Sequence, residues 1–308
     1  MKTNRLLLGI AIFQVTAAYA DLLLDETFSY PDGPLVGAGG SPWLHHSGSV
    51  TGEVDVVANR LFLTQTEAED VHAPLAGAPY SLSHPATLYA GFSVNFRSLP
   101  TRAGTYFAHF KDAASGFRGR VFAGTNNAAA GCFRLAVANA ATDPTLAAEL
   151  PTDLSLNTDY RVVLRYDVAN GASVLWLNPA SESEVPVVAG DTPGTNSIFS
   201  FAFRQSLSSG SGMGELFVAN LRVATTFAEV LPPAPVTTPI SLSAAWTEAG
   251  LQLTLTGQAG CLYMIETSPD LSTWTLLDTL ATFDVTTVFT DSATVGTGAR
   301  FYRVRLLE

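Results

Sequence analysis

Residues 160–178, which read YRVVLRYDVANGASVLWLN, constrain the fold of this chain more than any other stretch. From Tyr160 to Tyr166, every second position carries an aromatic or branched apolar side chain, which is the period of a β-strand with one buried face. The pair Asn170-Gly171 then precedes a second alternating run, a spacing typical of a tight turn that uses φ > 0. The stretch therefore predicts a β-hairpin, and we expect it at the centre of a large antiparallel sandwich.

The same pattern of alternation followed by Gly, Asn or Pro recurs along most of the chain. It predicts strands at residues 22–28, 54–63, 88–96, 106–110, 118–123, 132–138, 198–204 and 215–223. No stretch shows the i, i+3, i+4, i+7 apolar stripe of an amphipathic helix. The sequence therefore predicts an all-β protein.

The first twenty residues have the form of an export signal. Lys2 and Arg5 precede an apolar run, and Ala18-Tyr19-Ala20 is a small-x-small cleavage site, so residues 1–20 are predicted to be a signal peptide. No later segment approaches the length of an apolar transmembrane span. We therefore expect a secreted or cell-surface protein with no membrane insertion after cleavage.

Four prolines between Pro232 and Pro239 mark a change in composition. A proline-rich segment of this kind is an extended, semi-rigid spacer. We therefore predict a first domain at 21–230, a linker at 231–239 and a second domain at 240–308. Short strand patterns at about residues 251, 263, 274, 287 and 304 have the rhythm of a small immunoglobulin-like sandwich.

The charge balance excludes one class of partner. Sixteen Lys and Arg against 27 Asp and Glu give a net charge of −11, whereas binding to nucleic acid requires a concentrated basic surface. Only 14% of residues are charged, so Ser, Thr, Asn, Gln and Gly must cover much of the surface. We expect no nucleic-acid partner.

Several segments together resemble a known family. DETFSY at 25–30, YRVVLRYD at 160–167, WLNP at 176–179 and FVANLRVA at 217–224 resemble the concanavalin A-like (LamG-type) jelly-roll domains of secreted proteins in Verrucomicrobia and Planctomycetes. YMIETS at 263–268 and RFYRV at 300–304 are similar to a fibronectin-like module from the same bacteria. The resemblance implies an antiparallel jelly-roll β-sandwich followed by a small immunoglobulin-like sandwich. It does not specify a function, because such domains include lectins, adhesion modules, hydrolases and lyases.

Candidate ligand-binding residues occur in a loop and in several strands. Trp43, His45 and His46 lie in a segment rich in Gly, Ser and Pro, where an aromatic ring could stack on a sugar and imidazoles could bond its hydroxyls. The alternative is that Trp43 packs in the core and the histidines are solvated. If the protein is an enzyme, Tyr, His and Arg should converge on one sheet; the residues that could do so are Tyr89, Arg97, His109, Arg118 and Arg120.

No catalytic motif is present in the sequence. Glu53 and Asp55 would share one face of a strand, but Ala58 occupies the position where the laminarinase-type motif has its third carboxylate, so we interpret the pair as a solvated strand edge. His72 and His84 show no metal-ligand spacing. We therefore assign no catalytic residue.

The resemblance also implies that Ca²⁺ can bind at the rim of the sandwich. Asp25, Asp167, Asn170 and Asn220 are scattered candidates, and no contiguous acidic loop assigns a site.

Five further residues have structural interpretations. Cys132 and Cys261 are either a disulfide between the two domains or two small buried side chains. Trp176, Trp246 and Trp274 lie in strand-like runs and are expected to pack in cores.

Three functions are consistent with these features. The leading hypothesis is an exported, non-enzymatic protein whose jelly roll binds carbohydrate or another surface ligand. The second is a polysaccharide hydrolase or lyase on the same scaffold. The third is a structural component of the extracellular matrix or envelope, attached through its C-terminal module.

Overall fold

The structure is a computed structural model that describes residues 22–206, 212–232, 240–258, 261–281, 286–292 and 300–307. The chain divides into two units, Met1–Pro232 and Pro233–Glu308. The predicted signal peptide and most of the predicted linker lie outside the described residues.

The larger unit contains two antiparallel sheets. Within the described ranges, nine strands form the first sheet: β1 Leu22–Glu26, β2 Gly33–Pro34, β4 Asp55–Val56, β5 Leu61–Thr64, β7 Thr87–Ser98, β13 Tyr160–Asp167, β14 Ser173–Leu177, β15 Val187–Val188 and β17 Glu215–Ala224. Eight strands form the second sheet: β3 Leu44–Ser47, β6 Asp70–Pro74, β8 Thr105–Lys111, β9 Phe117–Gly124, β10 Cys132–Ala138, β11 Ala148–Glu149, β12 Leu154–Ser155 and β16 Ser200–Arg204. Two short 3₁₀ helices, Pro144–Leu146 and Ala228–Val230, lie between strands.

A layer of aromatic side chains fills the space between the two sheets. Phe92 of β7 contacts Phe107 of β8 and Phe201 and Phe203 of β16, with ring centroids 6.4, 5.9 and 5.6 Å away, and all four rings are fully buried. Each buried Phe contributes about 1.5–3 kcal/mol to folding. Two antiparallel sheets that face one another across this core make the larger unit a jelly-roll β-sandwich, so the predicted all-β class is confirmed.

The hairpin at 160–178 forms as the alternation predicts, but it is not central. β13 pairs with β14 from Val162 opposite Leu177 to Tyr166 opposite Ser173, and Gly171 at the turn has φ +75°. The sheet order β15-β14-β13-β7-β17-β5-β4-β2 instead places β7 and β17 in the interior. The predicted central position is therefore wrong, because the long strand β7 pairs with β13 on one side and β17 on the other.

The chain covers much of the outer face of the nine-stranded sheet with its own residues. After β17, the ring of Phe227 packs against Tyr89 and Trp176, with centroids 5.9 and 5.2 Å apart. The Arg161 guanidinium donates hydrogen bonds to the carbonyls of Asn220 and Val230. Residues 227–231 therefore cover the outer face of this sheet over strands β14, β13, β7 and β17.

In its described residues, the smaller unit contains two three-stranded antiparallel sheets. β18 Ser241–Thr247, β19 Gly250–Thr256 and β22 Thr286–Asp291 form one sheet, and β21 Thr275–Ala281, β20 Leu262–Ser268 and β23 Phe301–Leu306 form the other. Leu253, Leu255, Tyr263 and Ile265 are buried, whereas Trp246 is 69% exposed. The prediction that Trp246 packs in a core is therefore wrong, since it lies on an edge strand. The immunoglobulin-like or fibronectin-like class of this unit stays a prediction.

Three further residues can be placed. Trp176 is buried on the outer face of the first sheet, as expected for a packing residue. Cys132 and Cys261 belong to different units and are each half-buried, and their pairing stays a prediction.

A buried carboxylate holds the first strand against the core. Glu26 is 4% exposed, and its Oε2 accepts hydrogen bonds from Trp43 Nε1 at 2.9 Å and from the Tyr30 hydroxyl at 2.8 Å. Its Oε1 accepts from the backbone N–H of Phe28 at 2.6 Å. The three donors leave the carboxylate fully paired, which is what a buried charge requires.

Glu26→Gln should therefore lower the free energy of unfolding by about 2 kcal/mol, because an amide N–H would replace one acceptor and leave a buried donor unsatisfied. Chemical denaturation of the full chain measures the change. Asp25→Asn is the matched control, since the exposed Asp25 pairs with Arg222 at 3.1 Å and such pairs contribute about 0–1 kcal/mol. Equal effects of the two substitutions would contradict the role given to Glu26.

Candidate functional site

The outer face of the eight-stranded sheet carries the polar residues that the core excludes. Val71, Phe201 and Phe203 point inward, so the alternating positions His72, Ala202 and Arg204 lie on the opposite face. His109 of β8 lies directly opposite Ala202, and Ala202 lies directly opposite His72. Cross-strand partners share a face, so these residues lie in one row across three strands.

A third histidine joins this row from the neighbouring strand β3. The His46 ring centroid lies 5.5 Å from that of His72 and 6.1 Å from that of His109. We call His46, His72 and His109 the histidine cluster. His109 is fully buried and both of its ring nitrogens lack a hydrogen-bond partner within the protein.

The histidine cluster is held in the neutral form. Burial, followed by the charges of His72 and Lys111, lowers the pKa of His46 to about 4. Burial also lowers the pKa of His72 and places the pKa of His109 well below its ordinary value, with the charge of Arg120 adding to the effect on His109. At neutral pH the cluster therefore offers uncharged imidazoles.

Two guanidinium groups flank a tyrosine beside the cluster. The Arg204 and Arg120 guanidiniums lie 4.5 and 4.9 Å from the ring centroid of Tyr106, within the range of cation–π attraction. Tyr106 also contacts His109 edge to face, with ring centroids 5.5 Å apart. This basic and aromatic row lies on the outer face of the sheet, where Tyr106, Arg120 and His109 are themselves buried.

A cavity of about 440 Å³ opens farther along the same face, over β9 and β10. Phe122 and Ala136 belong to the same outer cluster as Tyr106, and the Phe122 ring centroid is 5.6 Å from that of Tyr106. The cavity is lined by these two residues and by Arg102, Ala103, Ala123, Gly124, Asn126, Asn127, Arg134, Pro144, Thr145, Ala147 and Glu149.

The rim of the cavity is tied together by polar contacts. Arg134 donates to Glu149 at 3.0 Å and to Asp153 at 2.6 Å, which fixes its guanidinium. Arg102 Nε donates to the Asn126 side-chain oxygen at 3.2 Å, and both residues are exposed. The Arg102 terminal nitrogens and the Asn126 amide group therefore face solvent at the mouth of the cavity.

Of the eight residues singled out in the sequence, the structure brings three to this face: His46, His109 and Arg120. His45 lies beside them but pairs with Glu69 at 3.3 Å. Trp43 is 1% exposed and packs between Phe28 and Phe203, so its ring is part of the core.

The other three residues lie elsewhere. Tyr89 and Arg97 belong to β7 of the opposite sheet, where the Tyr89 hydroxyl donates to Glu182 at 2.6 Å. Burial and this bond raise the pKa of Tyr89 to about 12. Arg118 donates one hydrogen bond to the Gly194 carbonyl at 2.7 Å and another to the Phe117 carbonyl at 2.8 Å. These bonds anchor the loop that contains Gly194.

Sequence reasoning missed His72, Tyr106, Arg204, Phe122 and the asparagines of the rim as members of one site. Alternation with buried residues places each of these side chains on an outer face of the sandwich. It does not show which strands are neighbours, so it cannot show which of these side chains meet. Only strand order shows that β3, β6, β16, β8, β9 and β10 are neighbours.

The remaining carboxylate and metal candidates stay separate from this site. Glu53 and Asp55 lie at the edge of the first sheet, where burial and the charge of Glu53 raise the pKa of Asp55. Of the Ca²⁺ candidates, Asp25 pairs with Arg222, and Asp167 accepts hydrogen bonds from Ala169 and Asn170. Among the described residues, no group of three or more His, Cys, Asp or Glu has an arrangement that could hold a metal ion.

Comparisons with known proteins give structural likeness alone. No family model matches the sequence, and no curated protein matches it. A carbohydrate esterase from Shiga toxin-encoding bacteriophage phi24B is 12% identical, with 67% of this chain and 99% of that chain covered and a TM-score of 0.43.

Two further solved structures are similar at the same level. The Ca²⁺- and mannose-bound lumenal domain of VIP36 is 13% identical over 64% of this chain and 89% of its own, with a TM-score of 0.38. An alginate lyase from Pseudomonas aeruginosa is 9% identical over 54% of this chain and 82% of its own, with a TM-score of 0.37. At these identities and TM-scores, the likeness supports no functional conclusion. No helix in the described ranges is long and apolar enough to cross a membrane.

Acidification should destabilise the larger unit between about pH 6.5 and pH 4. The pKa of His46 is lowered in the folded state, so the unfolded chain binds more protons in this window. The stabilisation is therefore complete above pH 6.5 and is lost as the pH falls toward 4. After allowance for partial exposure, His46 alone should lower the free energy of unfolding by roughly 1–2 kcal/mol at about pH 4.5.

Urea titrations of the full chain across this pH range measure the slope. His46→Gln should reduce it, whereas His84→Gln, a substitution of an exposed histidine outside the histidine cluster, should leave it unchanged. An identical slope in His46→Gln and the parent would contradict the prediction.

Proposed function

We propose that this protein is an exported, non-enzymatic carbohydrate-binding protein whose ligand lies on the outer face of the eight-stranded sheet. The observation that carries the proposal is the 440 Å³ cavity over β9 and β10, which combines apolar walls, including Ala103, Ala136 and Ala147, with an amide and guanidinium rim. Ligand pockets typically enclose about 300–1,000 Å³ and combine apolar walls with a few directed polar groups.

The chemistry of the cavity matches that of a saccharide. The faces of sugar rings are apolar and suit the alanine walls of the cavity, while their hydroxyls require both donors and acceptors. All three polar rim residues are exposed: the Asn126 amide nitrogen and the Arg102 terminal nitrogens offer donors, and the Asn127 side-chain oxygen offers an acceptor, while its amide nitrogen donates to Glu149. The opposite sheet is a weaker candidate because residues 227–231 cover its outer face.

Binding is favoured over hydrolysis because the nearby carboxylates are already hydrogen-bonded within the protein. Hydrolysis of a glycosidic bond requires two carboxyl groups on either side of the bond. Asp70 accepts a hydrogen bond from Ser47 at 2.6 Å, and Glu149 accepts from Arg134 at 3.0 Å. Asp153 also accepts from Arg134, at 2.6 Å. The carboxylates at the cavity rim are therefore both bonded to one guanidinium, and Asp70 lies away from them, beside the histidine cluster.

A polysaccharide lyase is the second candidate, because Tyr106, His109 and Arg120 occur together. Elimination requires a base and a cationic group that both touch the substrate. Tyr106 is 8% exposed, Arg120 is 6% exposed and His109 is fully buried, so these groups do not offer a reactive surface to a polymer. The binding function is therefore preferred, with the smaller unit as a spacer or docking module.

Arg102→Ala should weaken binding of a stabilising polysaccharide about five- to tenfold, because it removes charged donors from the rim of the cavity. A thermal-shift screen of residues 21–308 against neutral and acidic polysaccharides finds the ligand, since saturation at about a hundred times Kd stabilises the native state by about 2.7 kcal/mol. Isothermal titration then compares the variants.

Arg97→Ala is the matched control, because Arg97 is an exposed arginine on the opposite sheet. If the affinity for a carbohydrate falls equally in Arg102→Ala and Arg97→Ala, that carbohydrate binds outside the cavity. Absence of any carbohydrate-dependent stabilisation would overturn the proposed function. Incubation of the same ligand with the protein, followed by analysis of chain length, separates binding from cleavage.

A further inference from the structure

The loop before β8 lies close against the end of β9, and this contact forms one side of the cavity mouth. Gly104 permits the approach, because its φ is +66° and a Cβ at this position would overlap the Ala123 carbonyl oxygen. The backbone N–H of Thr125 then donates a hydrogen bond to the Arg102 carbonyl at 3.2 Å. Arg102 is therefore held beside the loop that joins β9 to β10.

The contact with Arg102 sets the orientation of the Asn126 amide. Arg102 Nε donates a hydrogen bond to Asn126 Oδ1 at 3.2 Å. A guanidinium has donors and no acceptor, so the amide oxygen must face it and the amide nitrogen must point away. Asn126 is exposed and lines the cavity. Its amide nitrogen is therefore a donor that a ligand can reach.

Glu149 sets the opposite orientation for Asn127. Asn127 Nδ2 donates to Glu149 Oε2 at 3.4 Å, and a carboxylate has no donor to offer an amide oxygen. Glu149 is itself held in place, because its Oε1 accepts a hydrogen bond from Arg134 at 3.0 Å. The exposed Asn127 therefore leaves its side-chain oxygen as an acceptor at the cavity. Two consecutive residues thus offer one donor and one acceptor.

The charged groups around the cavity favour a neutral ligand. Arg134 pairs with Glu149 and Asp153, at 3.0 and 2.6 Å, so two carboxylates share one guanidinium. Arg102 adds one positive charge, and Asp143, which caps the 3₁₀ helix beside the cavity, adds one negative charge. These five groups carry two positive and three negative charges on a chain of net charge −11, which disfavours an anion. The three carboxylates already accept hydrogen bonds within the protein, so a cation gains little from them.

A neutral saccharide has the groups that this arrangement requires. Each hydroxyl donates one hydrogen bond and accepts others. Of two hydroxyls on neighbouring ring carbons, the first can accept from Asn126 Nδ2 and donate to the second, and the second can donate to Asn127 Oδ1. Every hydrogen in this chain has an acceptor. The apolar face of the ring can then lie on the methyl groups of Ala103, Ala136 and Ala147.

We propose that the cavity binds a neutral saccharide through two adjacent hydroxyls, of which one accepts a hydrogen bond from Asn126 and the other donates one to Asn127. Glu149 is a positioning residue, because it acts on the ligand through the orientation of Asn127. This inference rests on the proposed carbohydrate-binding function and adds the class of saccharide and the residues that select it. A carboxylate in place of the second hydroxyl would meet Asn127 Oδ1, and both groups are acceptors.

The orientation of Asn127 can be tested without a ligand. In Glu149→Gln, the side-chain oxygen of the glutamine must still face Arg134, so its N–H group faces Asn127 and should turn that amide around. The side-chain amide resonances of Asn127 should therefore move in ¹H–¹⁵N spectra of the full chain labelled at asparagine. Asp153→Asn also removes a charge from Arg134 but does not contact Asn127, and it should leave these resonances near their parent positions. Equal shifts in the two variants would overturn the role given to Glu149.

Isothermal titration with four oligosaccharides tests the class of ligand. Three are neutral, namely cellohexaose, maltohexaose and mannohexaose, and the fourth, hexagalacturonate, is an anion of the same length. At least one neutral probe should bind, and hexagalacturonate should bind at least tenfold more weakly.

The same titration of the variants tests the positioning role. Glu149→Gln should weaken binding of the neutral probe about tenfold, whereas Asp153→Asn should weaken it less than threefold. In an Asn127→Ala background, Glu149→Gln should have little further effect, because the group that Glu149 orients is gone. Circular dichroism confirms that the variants fold. Additive effects of Glu149→Gln and Asn127→Ala would contradict the positioning role.

Failure of this inference can be distinguished from failure of the proposed function. If hexagalacturonate alone binds, in a manner that depends on Arg102, carbohydrate binding stands and the neutral class is overturned. If none of the four probes binds while a polysaccharide still stabilises the protein in a manner that depends on Arg102, the hydroxyl pair is excluded and carbohydrate binding again stands. If no saccharide binds or stabilises the protein, both fail.

Discussion

The layer of aromatic side chains between the two sheets is the constraint on which the rest of the larger unit depends. Phe92, Phe107, Phe201 and Phe203 interlock from three strands of the two sheets, and their burial requires every second residue of those strands to point inward. The intervening residues must then point outward. The polar face of the eight-stranded sheet is therefore a direct consequence of how the core is filled.

The two outer faces differ in whether residues that follow the strands cover them. Residues 227–231 return across the nine-stranded sheet, where Phe227 packs on Tyr89 and Trp176 and Arg161 bonds to backbone carbonyls. The eight-stranded sheet instead keeps a row of histidines, two arginines around Tyr106, and a cavity. The outer face of the eight-stranded sheet thus combines two guanidinium groups with three neutral imidazoles.

A bulge of one residue changes which side chains of this face can bond to one another. Regular pairing along β3 would send Ser47 to the side opposite His46, and the Asp70–Ser47–His46 chain of hydrogen bonds could not form. The buried, unpartnered imidazole nitrogens lower stability unless another molecule bonds to them, because an unsatisfied buried polar atom costs about 1–3 kcal/mol. Such atoms are rare in native proteins.

Sequence alone determined the all-β class, the strands and the residues that point inward, because alternation of period two is a local property of the backbone. The hairpin at 160–178 and the strands around Phe92 and Phe203 follow from it. The interior position of β7 and the exposure of Trp246 did not follow, and neither did the meeting of His46, His72 and His109, whose positions span 63 places in the numbering. Those depend on strand order and on a bulge, and both are decided by long-range hydrogen bonding and packing of the whole core, which local periodicity does not encode.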